Sequence, residues 1–157
     1  FNRIFRREEI MQDFVHLHVH TQYSILDGQA SIPRLVDKAM ADGMKGIAVT
    51  DHGDMFGIKE FFNYVNKKNS STNSEIKDLK KRIAGLEKGT VECDNPETEL
   101  VACKEKLETA KKKLFKPIFG CEMYVARRRS FNKEGKPDQS GYHLVVLAKN
   151  EKGYTTS

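Results

Sequence analysis

An α/β fold with a mostly parallel sheet, open or closed into a barrel, is predicted by two features of the chain. Short β-rich runs alternate with amphipathic helical segments, and the chemically distinctive side chains fall at or just after those runs. In such folds the chemistry belongs on loops at the carboxyl ends of strands. The length of 157 residues fits one domain with a real core and is short for a complete large barrel.

The first β-rich run is "VHLHVH", ending at His20. As a strand it would place His16, His18 and His20 on one face and Val15, Leu17 and Val19 on the other. Imidazoles one strand-repeat apart sit roughly 6 to 7 Å apart at the backbone, close enough to converge on one ion or on two adjacent ions. The plain alternative is three polar residues on the wet face of an edge strand, where Ser, Thr or Lys would serve as well. Ser31 to Gly43 then reads as a helix, with Ser31 a cap candidate, Pro33 in the first turn, apolar Leu35, Val36, Ala39 and Met40 at helical spacing, and Gly43 as terminator. "GIAVT", Gly46 to Thr50, is the second run; "DHGDMFG" follows, and then a helix through Phe61, Phe62 and Val65. Ile118 to Ala126 and Tyr142 to Ala148 are the third and fourth runs.

Between the second helix and the third run, residues 66–114 differ in character. They are dense in Lys and Glu, yet Ile76, Leu79, Ile83 and Leu86 keep a helical rhythm, as do Leu100, Cys103, Leu107, Ala110 and Leu114. Two amphipathic helices with Pro96 opening the second predict an inserted antiparallel helical hairpin, Leu79 and Ile83 facing Leu107 and Ala110. Acids interleave with its bases, so a solvated insertion that packs on itself is the reading preferred over a DNA-binding surface.

The formal charge of +5 and pI near 9.1 fit an acidic partner such as nucleic acid, although a lysine-rich surface produces the same totals. Cys93, Cys103 and Cys121 form no CxxC pair, which points away from a disulfide framework or zinc finger and toward a reducing cytoplasm. No apolar run approaches the ~18 residues of a membrane span.

The histidines have company. Asp27 follows the first run in "YSILDG", His52 follows the second in "VTDHGD", Glu122 sits within the third and His143 opens the fourth. Imidazoles and carboxylates without thiolate suit Zn²⁺, Mn²⁺ or Fe²⁺, and a carboxylate can bridge two ions. His143 strains a parallel arrangement, because the first residue of a parallel strand lies at the wrong end of the sheet unless the strand begins earlier.

"HLHVHTQYSILDG", "AVTDHGDMFG", "PIFGCEMYVA" and "YHLVVLAKN" resemble the successive motifs of the polymerase and histidinol phosphatase (PHP) domain, in the form found at the amino terminus of bacterial DNA polymerase III alpha subunits. The resemblance runs from Met11 to Tyr154 outside the inserted helices. It implies the amino-terminal part of a distorted (β/α)7 PHP barrel whose cleft holds up to three divalent ions. Carried over position by position, His18 and His20 would be ligands, Asp27 and His52 would serve another ion, Glu122 would bridge, and His143 would complete a further site. His16 and Asp51 match positions outside the ligand set and would orient the ligands.

The family's later motifs, which supply a Cys or His and an Asp-x-His pair, are not found before "KGYTTS", so residues 11–157 are expected to be part of one domain. Residues 1–10 are then an upstream extension or an appended sequence. For the parent, the resemblance implies a DNA-directed DNA polymerase with DNA and other replicase subunits as partners. The metal site would then act as a 3′→5′ exonuclease or phosphoesterase. The alternatives are a scaffold without hydrolytic activity and a freestanding PHP phosphatase.

Overall fold

Pro33 enters the first turn of α1 (Ile32–Ala41), where its missing N–H leaves no hydrogen bond unmade, and Ser31 holds the N-cap position by its extended backbone, without a side-chain cap bond. The helix ends at Gly43, whose φ of 78° is the left-handed conformation that terminates helices most cheaply in glycine. β1 (Gly46–Val49) is buried along its length. α2 (Ile58–Lys68) follows, with Ile58, Phe61 and Val65 on one buried stripe. Next come α3 (Ser70–Glu87) and α4 (Pro96–Lys113), β2 (Lys116–Val125), β3 (Tyr142–Leu147) and the short α5 (Glu151–Thr155). This computed structural model describes residues 14–91, 93–127 and 141–155; residues 1–10, read above as an extension, lie outside the described residues.

The sheet has the order β1-β2-β3 and is mixed. β1 and β2 are parallel, Gly46 opposite Lys116 and Val49 opposite Phe119. β3 runs antiparallel to β2, with Tyr124 opposite His143 and Gly120 opposite Leu147, against the expectation of a mostly parallel sheet. A parallel return needs a crossover, usually a helix. The connecting sequence "ARRRSFNKEGKPDQSG" carries Gly, Pro and charge but no apolar stripe from which to build one.

Register sorts the side chains, because directly paired residues share a face of a sheet. Ile47, Val49 and Phe119 turn to the helices and join Ile32, Val36, Ala39, Ile58, Phe61, Val65 and Phe115 in the main core. Thr50, Glu122, Tyr124 and His143 belong to the opposite face. The face away from the helices is therefore the one left for polar chemistry.

The run from Phe14 to His20 lies along the free edge of β1 without becoming a regular strand. Ala48 N–H donates to His16 O at 2.8 Å and Thr50 N–H to Val19 O at 2.9 Å. Three steps of this run thus span two of β1, and the slip breaks strict alternation. Val19 still packs on the core. Leu17, expected on the same oily face, is 51% exposed.

α3 and α4 pack on each other through Leu79, Ile83 and Leu86 against Leu100, Cys103 and Leu107. Ile76 and Ala110 are buried as well. Asn95 caps α4, its side chain accepting from Thr98 N–H. The start and finish of this excursion are tied by one side chain: Asn69 Nδ2–H donates to Phe115 O at 2.8 Å, and its Oδ1 accepts from Phe115 N–H at 3.1 Å. Among the described residues, no helix is long and apolar enough to cross a membrane.

Asn69 is 8% exposed and Phe115 4% exposed, so removing the amide strands two buried backbone groups. Asn69→Ala is expected to lower stability by about 1–3 kcal/mol, read from urea unfolding of wild type and variant. An unchanged midpoint would show that water replaces the clasp at no cost.

Candidate metal centre

Beyond Val49 the chain of β1 keeps pairing with β2. Glu122 N–H donates to Asp51 O at 3.1 Å, Gly53 N–H donates to Glu122 O at 2.9 Å, and His52 stands level with Glu122. This clasp puts Glu122 among imidazoles from three different segments. Its Oε2 lies 3.0 Å from His20 Nε2 and 2.8 Å from His52 Nδ1. Its Oε1 lies 3.3 Å from His143 Nδ1 and 3.8 Å from His18 Nε2. The antiparallel direction of β3 resolves the difficulty with His143: the strand's first turn of pleat stands beside the carboxyl end of β2.

Two groups that could each hold an ion result, His18, His20 and Glu122, and His52, Glu122 and His143, each with donor atoms within 4.8 Å of one another. Glu122 belongs to both. Asp27, 42% exposed at its side chain, stands between them, with Oδ2 3.5 Å from His52 Nδ1 and 4.0 Å from His20 Nδ1. His16 joins neither set; its ring meets Phe14 edge-on at 4.7 Å.

Burial alone would push the Glu122 carboxyl up, but the hydrogen bond from His52 and the neighbouring His20, His143 and His18 outweigh it and hold the group below its ordinary range. Asp51 is the opposite case. It is 1% exposed, and burial pushes its carboxyl up despite two bonds from Thr21, N–H to Oδ1 at 2.6 Å and Oγ1–H to Oδ2 at 2.9 Å. Those bonds fix the residue that follows His20.

Other supports were not evident from the sequence. Thr50 Oγ1 accepts from Val19 N–H at 2.9 Å and contacts His18 Nδ1 at 2.9 Å. Buried Ser24 accepts from His52 N–H at 3.1 Å. Tyr124 Oη contacts His52 Nε2, its ring edge-on to both His52 and His143. Thr50 and Ser24 sit beside motif residues in the sequence, and Tyr124 is two residues from Glu122. Hydroxyls are too common in loops for position alone to single them out.

The residues fit divalent ions by three tests. Ligand atoms around an ion bound at about 2.1 Å lie about 3 to 4 Å apart, the spacing found around Glu122. His20 Nε2 is buried and makes no hydrogen bond among the described residues although Glu122 Oε2 lies 3.0 Å away, a close nitrogen–oxygen approach suited to a shared cation. The donors are nitrogen and oxygen: Cys121, next in sequence, gives its thiol to Asp51 O at 3.6 Å instead.

A small mixed sheet packed on helices, with a histidine and carboxylate cluster at the ends of its strands that could hold metal ions, defines an α/β domain. The chain belongs to the PHP domain family, whose model matches residues 16–156. It is similar to proteins named DNA polymerase III subunit alpha: 35% identical over 144 residues to that of Borreliella burgdorferi, 35% over 142 residues to that of Treponema pallidum, and 28% over 148 residues to that of Aquifex aeolicus. Each match covers 90% of this chain, which spans 8% of the length of the first two relatives and 9% of the third.

The loop carrying Asp27 depends on a close backbone approach at Gly28, where a Cβ would meet Thr21 O at 2.2 Å and His20 C at 3.0 Å. Gly28→Ala is expected to cost about 1–3 kcal/mol by thermal unfolding, since two backbone segments must part to admit the methyl group. A melting temperature within error of wild type would disprove this account of the loop.

Proposed function

We propose that this chain is the PHP-domain segment of a DNA polymerase III alpha subunit, acting on the 3′ end of a DNA strand as a metal-dependent exonuclease or phosphoesterase. The observation that carries the reading is the single Glu122 carboxylate shared by two histidine sets. His18, His20 and Glu122 would hold one ion, and His52, Glu122 and His143 a second, with Asp27 placed to join either. When bound, divalent ions supply Lewis acidity, which brings water within reach of deprotonation near neutral pH and offsets phosphate charge.

The rest of the work falls to side chains of this chain. A ligating Nε2 on His18 requires the proton on Nδ1, and Thr50 Oγ1 stands 2.9 Å from that nitrogen to accept it. Asp51 and Thr21 hold the backbone beyond His20, and Ser24 holds the backbone of His52. Tyr124, 61% exposed, can donate its hydroxyl proton to a phosphate oxygen at the open side of the cluster. His16, packed on Phe14, serves the shape of the first run rather than the ions. The barrel, the inserted hairpin of residues 66–114 and a reducing cytoplasm, in keeping with free Cys93, Cys103 and Cys121, complete the proposal. The polymerase itself, DNA and other replicase subunits would be partners through the rest of the protein.

Full-length protein is expected to retain Zn or Mn through gel filtration and to trim a primer from its 3′ end, with chelation abolishing trimming. Glu122→Ala should lower metal content by mass spectrometry and reduce trimming at least about 100-fold, because one side chain serves both sets, while nucleotide addition persists. Metal-loaded protein that does not trim a primer would instead favour a scaffold role.

A further inference from the structure

The two loops that carry Asp27 and His52 toward the cluster each present an aromatic ring to a second concavity. Tyr23 and Phe56, with Lys59, Glu60, Asn63 and Lys67 of α2, line an open groove of ≈ 540 Å³. The groove and the centre share a packing unit: a Cβ on Gly57 would meet the Tyr23 ring at 2.8 Å and Asp51 Oδ2 at 3.3 Å. Phe56 is 78% exposed, on a turn held by its N–H donating to Asp54 Oδ1 at 3.1 Å.

Charge in the groove is net positive, with Lys59 and Lys67 against Glu60. Glu60, its one lining carboxylate, accepts from Tyr23 Oη–H at 2.7 Å. Lys68 nearby is paired with Asp37 at 2.7 Å. Lys59 and Lys67 have no ion-pair partner among the described residues. A purely apolar ligand would have no use for two unpaired lysines, and a bare phosphate none for a displayed phenyl ring. A nucleotide uses both, its base stacking on an aromatic face and its phosphates meeting cations.

We propose that this groove seats one nucleotide of a single-stranded nucleic acid, its base on Phe56 and its phosphates toward Lys59 and Lys67. The strand would continue over the shared loops to the metal centre; that last step rests on the hydrolytic reading above, whereas occupancy of the groove does not. The test uses full-length protein in chelator, so that strand binding is read without metal or hydrolysis. Oligonucleotides carrying one 5-iodouracil base, in a deoxyribose arm and a ribose arm, are photocrosslinked and the modified peptides mapped by mass spectrometry.

Crosslinks at Phe56 or Tyr23 are expected in at least one arm, and that arm identifies the sugar. The Lys59→Glu/Lys67→Glu double variant should lose about tenfold of that crosslink, as should the milder Lys59→Gln/Lys67→Gln pair if the first melts early, and the wild-type yield should fall with added salt. Crosslinks that map only elsewhere in the protein, or a Phe56 crosslink indifferent to both lysine pairs, would overturn the proposal. A protein that crosslinks at Phe56 but binds no metal would refute the hydrolytic reading alone.

Discussion

The backbone clasp between residues 51–53 and Glu122 is the constraint on which the centre depends. It extends β1 past its last regular residue, and it does so with the side chain of Glu122 on the face away from the helices. Every imidazole of the cluster is placed relative to that carboxylate: His52 by the clasp itself, His143 by pairing with β2, and His18 and His20 by the run along the other edge of β1. The division of labour between faces follows. One face of the sheet is sealed by α1 and α2 through an apolar core, which leaves the other free to collect groups that an apolar core would not tolerate.

Burial acts differently on the two acids at this junction, and the difference sets their roles. Asp51 spends both oxygens on Thr21 and faces no open space, so it orders the chain beside His20. Glu122 is nearly as buried, yet imidazoles surround it and keep it in the charged form that a cation needs. Two neighbouring carboxylates thereby differ in state, one pushed up and used as a brace, the other held charged among imidazoles, as environment rather than residue type dictates.

The excursion through α3 and α4 packs around an apolar cluster of its own, distinct from the main core. It has its own apolar seam, and the described ion pairs along it, such as Lys104 with Glu87 at 3.0 Å, are exposed and contribute little. Where it leaves and rejoins the core, Asn69 binds both backbone groups of Phe115.

Much of this was legible in the residues alone. The helical spacing of Ile32, Val36 and Ala39, the Pro33 and Gly43 punctuation and the alternation of β-rich runs with helices depend on local periodicity, which a sequence displays directly. The same holds for the chemistry of the ligand types, and the gathering of His18, His20, His52, Glu122 and His143 around one point agrees with their motif positions. What local pattern could not determine was direction and register. Whether β3 runs with or against β2 depends on how its connection closes, and that choice alone puts His143 at the right end of the sheet. The slip that exposes Leu17 arises where one chain pairs with another, and the selection of Thr50, Ser24 and Tyr124 from among many hydroxyls was made by proximity across 28 to 72 residues of sequence. The sequence by itself determined which groups were available and which elements would bear them; only the tertiary structure decided which faced one another, because pairing between distant segments is a property of the packed chain and not of any window along it.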